Sequence, residues 1–399
     1  MRLLVLNYEY PPLGGGGGVT CRNTATALAK RHEVHVLTSQ GPGLSPREVI
    51  DGVHVWRAPI FGRSQRAVAS IVSMLLYHPA AKKLGAELCR EHAFDLVASW
   101  FAAPSGVPGR ALARQFDLPH AVLMMGGDVY DPTKWYAAQS NPLLGRLVGS
   151  ILQSADLRIA PSTDIAVRAR ELHGVTEPIE VVPFGVDPEP FAPCSRAELG
   201  MAEDAVHVVS CARLVRRKNF ATLVAAIAEV DDPLVHLTLL GDGPERDNLA
   251  AQAKQLGIAD RVHFAGFISG ERKHQYLAAS DMFVLASEHE GFGLVYLEAM
   301  HVGLPVIAAK IGGQTDFLVE GETGMLIDGG QVQPLKAAIR RLAGDPELRR
   351  RLGARNVEIA KGLDIAASAL RYERLFMATI AASRFAGASA AASSNGAVT

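Results

Sequence analysis

Two glutamates, Glu290 and Glu298, stand eight positions apart after the apolar run 282–286. Gly291 and Gly293 lie between them and helix-forming residues follow, so the segment predicts a strand, a glycine turn and a helix start. Free N–H groups at a helix start attract phosphate, and the helix dipole adds to the attraction. With two helical turns between them, the carboxylates could reach different hydroxyl groups of one extended ligand. The pattern suits a nucleotide-sugar diphosphate.

A purely structural alternative explains only one of these glutamates. A carboxylate near a helix start stabilises the helix by a few tenths to about 1 kcal/mol. That accounts for Glu290 but not for Glu298, which is predicted to lie well inside the helix.

Two basic residues, Arg213 and Lys218, follow the predicted strand 206–209. A guanidinium binds phosphate oxygens in a fork, and an ammonium adds a compact charge. Such a cluster is often only a solvated loop, and Arg216 and Arg217 fit that description. Because the acidic motif lies in the same part of the chain, a phosphate-binding role is favoured for Arg213 and Lys218.

Five glycines, at positions 14–18, follow the first predicted strand and precede a predicted helix. Glycine lets backbone N–H groups approach a ligand without an intervening side chain. A flexible connector is the alternative, but the position after strand one favours binding. The spacing is not that of a dinucleotide fingerprint.

Asp128 follows Gly126, Gly127 and the apolar run 121–124. It could face a ligand cleft, or it could cap an ordinary glycine turn. The sequence leaves both interpretations open.

A metal site is not predicted. The thirteen histidines include no His-x-x-x-His spacing, and the chain has no Asp-x-Asp. Arg213, Lys218 and the helix start could supply the positive charge that a divalent ion would otherwise bring to a diphosphate.

The elements that must position these residues alternate between apolar strands and helices along the whole chain. This alternation predicts β-α-β units around parallel sheets. The first series of strands is 3–6, 34–37, 96–98, 121–124 and 157–160, and the second is 206–209, 235–240, 262–264, 282–285 and 305–308.

Three prolines within 187–193 separate the two series and predict a linker. We therefore expect two domains, at 1–187 and at 194–362, with the acidic motif and the basic pair in the second. Ligands of such sheets bind beyond the carboxyl ends of the strands, so the two sheets are expected to face a common cleft. Helical patterns cover 335–353 and 365–380, with a C-terminal helix at 363–382, and the small-residue tail 383–399 predicts disorder.

Composition excludes several classes of protein. The net charge of the 399-residue chain is −1, so no affinity for nucleic acid is expected. Four scattered cysteines suit a reducing compartment, and the first apolar run is too short for a signal peptide. No run is long enough to span a bilayer. We expect the cytoplasm, with the inner face of the membrane as an open alternative.

A predicted helix over 63–77 carries arginines at one end and apolar residues at the other, and Lys82 and Lys83 follow it. Such a helix could lie at a membrane surface. Packing on the first sheet is the commoner arrangement for an amphipathic helix.

The motifs together resemble those of the retaining family-4 glycosyltransferases, which have the two-domain GT-B fold. The resemblance covers 7–376, nearly the whole chain. Its motifs are the glycine loop, 182–187, Ala212 to Val215 with Lys218, 241–244, 290–298, 311–313 and 321–324.

The resemblance implies a GT-B architecture with two Rossmann-like doubly wound domains and a C-terminal helix that crosses back. It implies that domain 1–187 is the acceptor-side domain and that domain 194–362 binds the nucleotide sugar. It implies that Arg213 and Lys218 bind the donor diphosphate, that Glu290 contacts the sugar and that Glu298 contacts the ribose. Backbone groups would complete the donor site, with Gly15 and Gly16 over the diphosphate, Gly266, Phe267 and Ile268 at the base, and Phe292, Gly293 and Leu294 along the sugar and phosphates. The catalytic set would be Asp128, Glu290, Arg213 and Lys218.

One position departs from the family. Many relatives have a histidine where this chain has Met125, and methionine cannot donate a hydrogen bond to a sugar hydroxyl. The role of that histidine is therefore not transferred to any residue here.

The sequence thus predicts a retaining glycosyltransferase that uses a nucleoside-diphosphate sugar, without a cofactor and without a metal. The acceptor would be a glycan, a glycolipid or a small polyol. A nucleotide-sugar epimerase of the same fold, a non-catalytic nucleotide-sugar-binding protein and a membrane-surface scaffold are the open alternatives. The base, the sugar, the acceptor and the linkage do not follow from the sequence.

Overall fold

The protein forms two compact units. The computed structural model describes residues 1–61, 63, 70–133, 137–188 and 190–395. Unit 1 comprises Met1–Gly185 and the chain from Ile365 onward, and unit 2 comprises Val186–Asp364. The described prolines of the segment predicted as the linker therefore belong to unit 2.

Unit 1 is built around a sheet of eight strands within the described residues, in the order β3-β4-β2-β1-β5-β6-β7-β8. Every pair is parallel except β3 with β4. The strands are β1 (Arg2–Asn7), β2 (Glu33–Ser39), β3 (Arg47–Ile50), β4 (Val53–Ala58), β5 (Leu96–Trp100), β6 (His120–Leu123), β7 (Leu157–Ala160) and β8 (Glu180–Val181).

Helices connect the parallel strands of unit 1. They are α1 (Gly16–Ala29), α2 (Ile71–Glu91), α3 (Gly106–Phe116), α4 (Pro142–Gln153) and α5 (Thr163–His173). Local sequence fixes several helix starts: Asn141 and Ser162 accept hydrogen bonds from the first-turn amides of α4 and α5.

Unit 2 has a sheet of six parallel strands in its described residues, in the order β11-β10-β9-β12-β13-β14. The strands are β9 (Val206–Cys211), β10 (Val235–Leu240), β11 (Val262–Gly266), β12 (Met282–Leu285), β13 (Val306–Ala309) and β14 (Gly324–Ile327). Numbered within the unit, this order is 3-2-1-4-5-6, that of a doubly wound fold. The strand order reverses between β9 and β12.

The helices of unit 2 are α6 (Phe220–Glu229), α7 (Arg246–Gln255), α8 (Gly270–Ala279), α9 (Leu294–His301), α10 (Val332–Gly344) and α11 (Pro346–Lys361). The predicted helical run 335–353 is therefore two helices. Asp345 separates them: its side chain accepts from the Leu348 N–H and caps α11, and Pro346 occupies the first turn.

Alternate residues of β1 enter two different cores. Leu3 and Val5 pack in one cluster, while Leu4 and Leu6 pack in the cluster on the other face of the sheet. Because successive side chains of a strand point to opposite faces, a strand covered on both sides must be apolar throughout. This is why the strands read as continuous apolar runs.

The last helix, α12 (Ile365–Asn395), belongs to unit 1 although it follows unit 2 in the sequence. Tyr372, Phe376 and Ile380 lie in the same core cluster as Leu3 and Val5. The helix continues through Asn395, whereas the sequence predicts disorder from residue 383; alanine-rich segments have high helix propensity and extend a helix without needing a buried face. Residues 396–399 lie outside the described chain.

Helix α2 begins later than the sequence predicts. It starts at Ile71, after Ser70 and Ser73 form a reciprocal capping box. Residues 64–69, which fall in the helix predicted over 63–77, lie outside the described residues. No helix in the described part of the chain is both long and apolar enough to cross a bilayer.

Two phenylalanines on α12 provide a matched test of its packing. Phe376 is fully buried in unit 1, and Phe385 is 76% exposed. We expect Phe376→Ala to lower the free energy of unfolding by about 3–5 kcal/mol, because burying this ring contributes both transfer and packing energy. Urea unfolding followed by tryptophan fluorescence reports on unit 1, since all three tryptophans precede residue 185. Phe385→Ala is the control and should unfold like wild type; equal midpoints for both variants would contradict the assignment of α12 to this core.

Candidate functional site

The site of unit 2 lies where the strand order reverses. Strands β9 and β12 are neighbours there, and their helices cover opposite faces of the sheet, so a crevice opens beyond their carboxyl ends. The loop after β9 carries Arg213 and Lys218, and the loop after β12 carries Glu290. The fold therefore brings together residues that are more than seventy positions apart in the sequence.

The helix that follows β12 begins at Leu294, not at Glu290. Gly293 ends the loop with φ +89°, and a Cβ at this position would lie 2.5 Å from the Tyr296 ring. Glu290 is thus in the loop before α9, and only about one helical turn lies between Leu294 and Glu298. The predicted two turns of helix between the carboxylates were wrong. No side chain among the described residues caps the start of α9.

Lys218 and Glu290 form a largely buried ion pair. The Lys218 ammonium donates to Glu290 Oε1, and the Ser287 hydroxyl donates to the same oxygen at 2.7 Å. Only 9% of the Glu290 side chain and 11% of the Lys218 side chain are exposed. Lys218 ends a short 3-10 turn, Arg216–Lys218, which aims it across from the β9 loop to the β12 loop.

The charge state of Glu290 follows from these neighbours. Burial by itself would raise the pKa of this carboxyl, but Lys218 and Arg217 and the two hydrogen bonds outweigh it. The net effect lowers the pKa below its ordinary value of 4.5. Glu290 is therefore a carboxylate at neutral pH and can accept hydrogen bonds but cannot donate a proton.

Glu298 has its own cationic partner, Lys273 on α8. The Lys273 ammonium donates to Glu298 Oε1 at 2.8 Å, and both side chains are mostly buried. Cys211, the last residue of β9, lies close to this pair: burial and then the charge of Glu298 raise the pKa of its thiol to about 12. The Cys211 thiol is therefore protonated at neutral pH, and it lines the crevice without acting as a nucleophile.

Arg213 differs from Lys218 in being exposed. Its side chain makes no hydrogen bond or ion pair with any residue that the structure describes. A guanidinium in this position is available for an anionic ligand, because no neighbouring carboxylate competes for it.

The backbone around Glu290 is held by close packing. Gly313 N–H donates to the Glu290 carbonyl at 2.8 Å, and a Cβ on Gly312 would lie 2.5 Å from that oxygen. The Phe292 ring is buried against Phe317, with ring centroids 5.1 Å apart. Phe292 therefore anchors the loop by its side chain.

The segment expected at the base, Gly266 to Ile268, follows β11. Gly266 has φ +77°, and its carbonyl accepts from the Gly241 N–H at 2.7 Å. The Phe267 side chain is 81% exposed, and Ile268 is half-buried. Contact of this segment with a base stays a prediction.

The five glycines of unit 1 have different surroundings. A Cβ on Gly17 would lie 2.4 Å from the Phe101 ring, and one on Gly18 would lie 2.7 Å from the Glu9 carbonyl, so these two are required for packing. Gly15 caps α1, Gly16 is the first residue of that helix, and a Cβ on Gly15 would meet no atom within 4 Å. The Gly15 N–H donates to Glu9 Oε2 at 3.3 Å.

Asp128 in unit 1 is buried, and the backbone occupies both of its oxygens. Oδ2 accepts from the Ala102 N–H at 2.6 Å, and Oδ1 accepts from the Met125 N–H at 2.9 Å. Burial raises the pKa of this carboxyl, while these backbone hydrogen bonds oppose the increase. The geometry matches the turn-capping alternative, in which Asp128 fixes the loops that follow β5 and β6.

One group of potential metal ligands is gathered within the described residues, at the amino end of β2 in unit 1. The donor atoms of Glu33, His35 and His92 lie within 4.8 Å of one another. His35 is already saturated: Trp56 Nε1–H donates to Nδ1 at 3.2 Å, so Nε2 carries the ring proton and donates to Glu33 Oε1 at 2.9 Å. Both nitrogens are used without a metal ion.

Sequence reasoning missed two residues of the unit 2 site and one in unit 1. Lys273 stands beside Arg272 in a polar helix and looks like a surface residue, so no spacing rule indicates its contact with Glu298. Ser287 adjoins the acidic motif, but its type alone does not indicate a contact with Glu290. Glu9 precedes the glycine loop, and its type and position alone do not indicate a contact with the Gly15 N–H.

Two family profiles match the chain, one on each side of the predicted linker. The profile described as Glycosyltransferase Family 4 matches residues 14–190, and the profile described as Glycosyl transferases group 1 matches residues 193–358.

Curated relatives of the chain are also named as glycosyltransferases. The lipopolysaccharide core biosynthesis glycosyltransferase LpsD of Rhizobium meliloti is 40% identical over 191 residues, which are 48% of this chain and 54% of that protein. The match thus spans about half the length of that relative. A D-inositol 3-phosphate glycosyltransferase of Stackebrandtia nassauensis is 30% identical over 379 residues, 87% of this chain and 83% of that protein.

Among solved structures, a sucrose-phosphate synthase from Thermosynechococcus elongatus superposes with a TM-score of 0.85 and 26% identity. The superposition covers 96% of this chain and 99% of that one. The GT-B assignment of the two doubly wound sheets is confirmed.

The Glu290 pair predicts a pH dependence of stability. Because the pKa of Glu290 is lowered on folding, its contribution is complete above the ordinary value of 4.5 and is lost as the pH falls. We expect Glu290→Gln to be less stable than wild type at pH 7, and the difference in unfolding free energy between them to narrow as the pH falls below about 5. Urea unfolding followed by circular dichroism measures both curves.

The exposed neighbour Glu288 supplies the control, since Glu288→Gln should follow wild type across the same range. Parallel stability curves for wild type and Glu290→Gln would show that the ion pair does not hold the lowered pKa.

Proposed function

Because the chain belongs to the family 4 glycosyltransferases of group 1, we propose that it transfers a sugar from a nucleoside-diphosphate sugar to an acceptor hydroxyl with retention of the anomeric configuration. One observation carries the proposal. Two ion pairs, Lys218 with Glu290 and Lys273 with Glu298, flank the crevice beyond β9 and β12. In each pair, a carboxylate that can accept hydrogen bonds from hydroxyl groups stands beside an ammonium that can bind phosphate.

The cations act on the leaving group. The Lys218 ammonium has three N–H donors, so it can hold Glu290 and a phosphate oxygen together. Arg213 is exposed beside it and free for a second oxygen. As the bond from the anomeric carbon to the diphosphate breaks, negative charge grows on the departing oxygen, and these fixed charges and the uncapped start of α9 stabilise it.

The carboxylates orient the donor. Glu290 and Glu298 each accept hydrogen bonds from hydroxyl groups, Glu290 from the sugar and Glu298 from the ribose. The acceptor oxygen attacks the anomeric carbon on the face that the diphosphate leaves, and the departing diphosphate oxygen takes the acceptor proton. No protein nucleophile and no metal ion is required in this scheme, since Arg213 and Lys218 supply the positive charge.

In unit 1, Gly15 and Gly16 carry no side chain at the start of α1, where the Glu9 carboxylate accepts from the Gly15 N–H. We propose that a hydroxyl-bearing ligand approaches this backbone beside Glu9. Asp128 holds the loops after β5 and β6 through Ala102 and Met125, and we assign it a positioning role instead of a place in the catalytic set.

A donor panel tests the proposal. A UDP-, GDP- or ADP-sugar that binds the native protein raises its melting temperature. We expect one of the three to do so and to be consumed when an acceptor is present. Lys218→Ala should lower turnover by about tenfold or more, since it removes charge stabilisation from the leaving group.

Arg216→Ala is the matched control, because Arg216 is an exposed cation two positions away and should leave turnover unchanged. Wild-type turnover in a folded Lys218→Ala protein would remove Lys218 from the mechanism. A donor converted without acceptor would identify an epimerase, and binding without any conversion would identify a binding protein. The anomeric configuration of the product, measured by NMR, decides retention.

We further propose that the acceptor is lipid-linked and that α2 rests on the membrane surface. The solvent face of α2 is apolar over its first turns, with Ile71, Val72, Leu75 and Leu76 exposed. Lys82 and Lys83 follow on the exposed face and would meet anionic headgroups. The relative LpsD, by its name, acts in lipopolysaccharide core biosynthesis, which supports an acceptor of this kind.

Vesicle flotation tests this contact. Wild type should float with vesicles that contain anionic lipid, and replacing both Leu75 and Leu76 with Glu should abolish flotation, because each buried leucine contributes roughly 1.5–3 kcal/mol. Leu143→Glu replaces an equally exposed type of residue on α4 and should float like wild type. Flotation of the double variant at the wild-type level would rule out α2 as the contact.

A further inference from the structure

Three neighbouring strands of unit 2 carry histidines near their amino ends. His207 lies on β9, His236 on β10 and His263 on β11. His236 is paired in register with His207, and His263 is paired with Thr238, two residues further along β10. Because alternate residues of a strand share a face, the three imidazoles project from one face of the sheet.

These histidines line a cavity of about 190 Å³, together with Thr238, Asp260 and Arg261. The Arg261 guanidinium donates to the Asp232 carbonyl at 3.1 Å. The cavity lies at the amino edge of the sheet, opposite the carboxyl edge that carries Lys218 and Glu290. It is far larger than the roughly 30 Å³ that one water molecule takes up in the liquid. It therefore has room for an ion with bound water.

The tautomer of His207 is fixed by its surroundings. Its Nε2 lies 2.7 Å from the Ala202 carbonyl, which only accepts hydrogen bonds, so Nε2 carries the ring proton. Nδ1 therefore presents a lone pair, and this buried atom has no hydrogen-bond partner among the residues that the structure describes.

Such a lone pair is what a metal ion requires. Metal-binding histidines commonly donate their second N–H to a backbone carbonyl, which orients the ring and raises its basicity. The saturated His35 of unit 1 shows the contrast, because both of its nitrogens already have partners. Leaving a buried acceptor unsatisfied costs free energy, and a bound cation would remove that cost.

We propose that His207, His236 and His263 bind a first-row transition cation of the Zn²⁺ type at this cavity. Neutral imidazole suits Zn²⁺, Cu²⁺ and Ni²⁺. The His207 and His236 ring centroids are 5.7 Å apart, so a modest rotation of the half-buried His236 brings its nitrogen to ligand spacing with Nδ1 of His207. His263 is exposed, and its ring, whose centroid lies 6.5 Å from that of Tyr276, would turn away from Tyr276 to enter the cavity. Water would complete the tetrahedron. The site is separate from the sugar-transfer chemistry.

Titration of the chelator-treated full-length protein with Zn²⁺, followed by isothermal titration calorimetry, tests the site. We expect saturable binding of one ion per chain. His236→Ala should weaken binding by about tenfold or more, and His263→Ala should weaken it as well. Circular dichroism establishes that each variant is folded. Because His263 is exposed, its replacement should not destabilise the protein.

The unit 1 histidines are the controls. His54→Ala and His92→Ala alter the cluster around His35 and should bind Zn²⁺ like wild type. Absence of saturable binding to wild type, or undiminished binding to both folded unit 2 variants, would overturn the proposal. Loss of binding in His92→Ala with retention in His236→Ala would also overturn it and would place the ion at Glu33, His35 and His92.

Discussion

The buried ion pair between Lys218 and Glu290 is the interaction on which the unit 2 site depends. A carboxylate removed from water is costly unless a charge and hydrogen bonds compensate it, and here Lys218 and Ser287 do so on one oxygen. The pair joins the loop after β9 to the loop after β12, across the point where the strand order reverses. It therefore fixes the edges of the crevice and keeps Glu290 ionised in the same arrangement.

The backbone around that pair has little conformational freedom. Gly293 and Gly312 both have positive φ, and at each a Cβ would lie 2.5 Å from a neighbouring atom, the Tyr296 ring or the Glu290 carbonyl. Glycine is needed there because the chain must turn sharply and pass close to itself. The site is thus a set of charged side chains on a backbone whose conformation only glycine permits, built on the rigid ends of parallel strands.

The sequence predicted the elements that are buried on both faces, since these are continuous apolar runs. All ten predicted strands are present within the two sheets, with shifts of a residue or two at their ends. Strands β3, β4, β8 and β14 were not predicted, because they are short, lie at or next to a sheet edge or carry polar residues. The helix start at Leu294 was also misplaced, since the end of the loop is set by the left-handed backbone of Gly293, which the sequence pattern does not reveal.

By itself, the sequence predicted the fold class and the family, and it singled out Arg213, Lys218, Glu290 and Glu298 as candidate site residues. This was possible because residue types and spacing within short motifs are local properties. Only the tertiary structure decided which charges meet. Lys218 and Glu290 are joined through the order of strands in a sheet, and Lys273 reaches Glu298 from a different helix. It also showed that backbone amides occupy Asp128. Nδ1 of His207 has no hydrogen-bond partner among the described residues, whereas both nitrogens of His35 have one. These facts depend on contacts between distant segments, which no local pattern encodes.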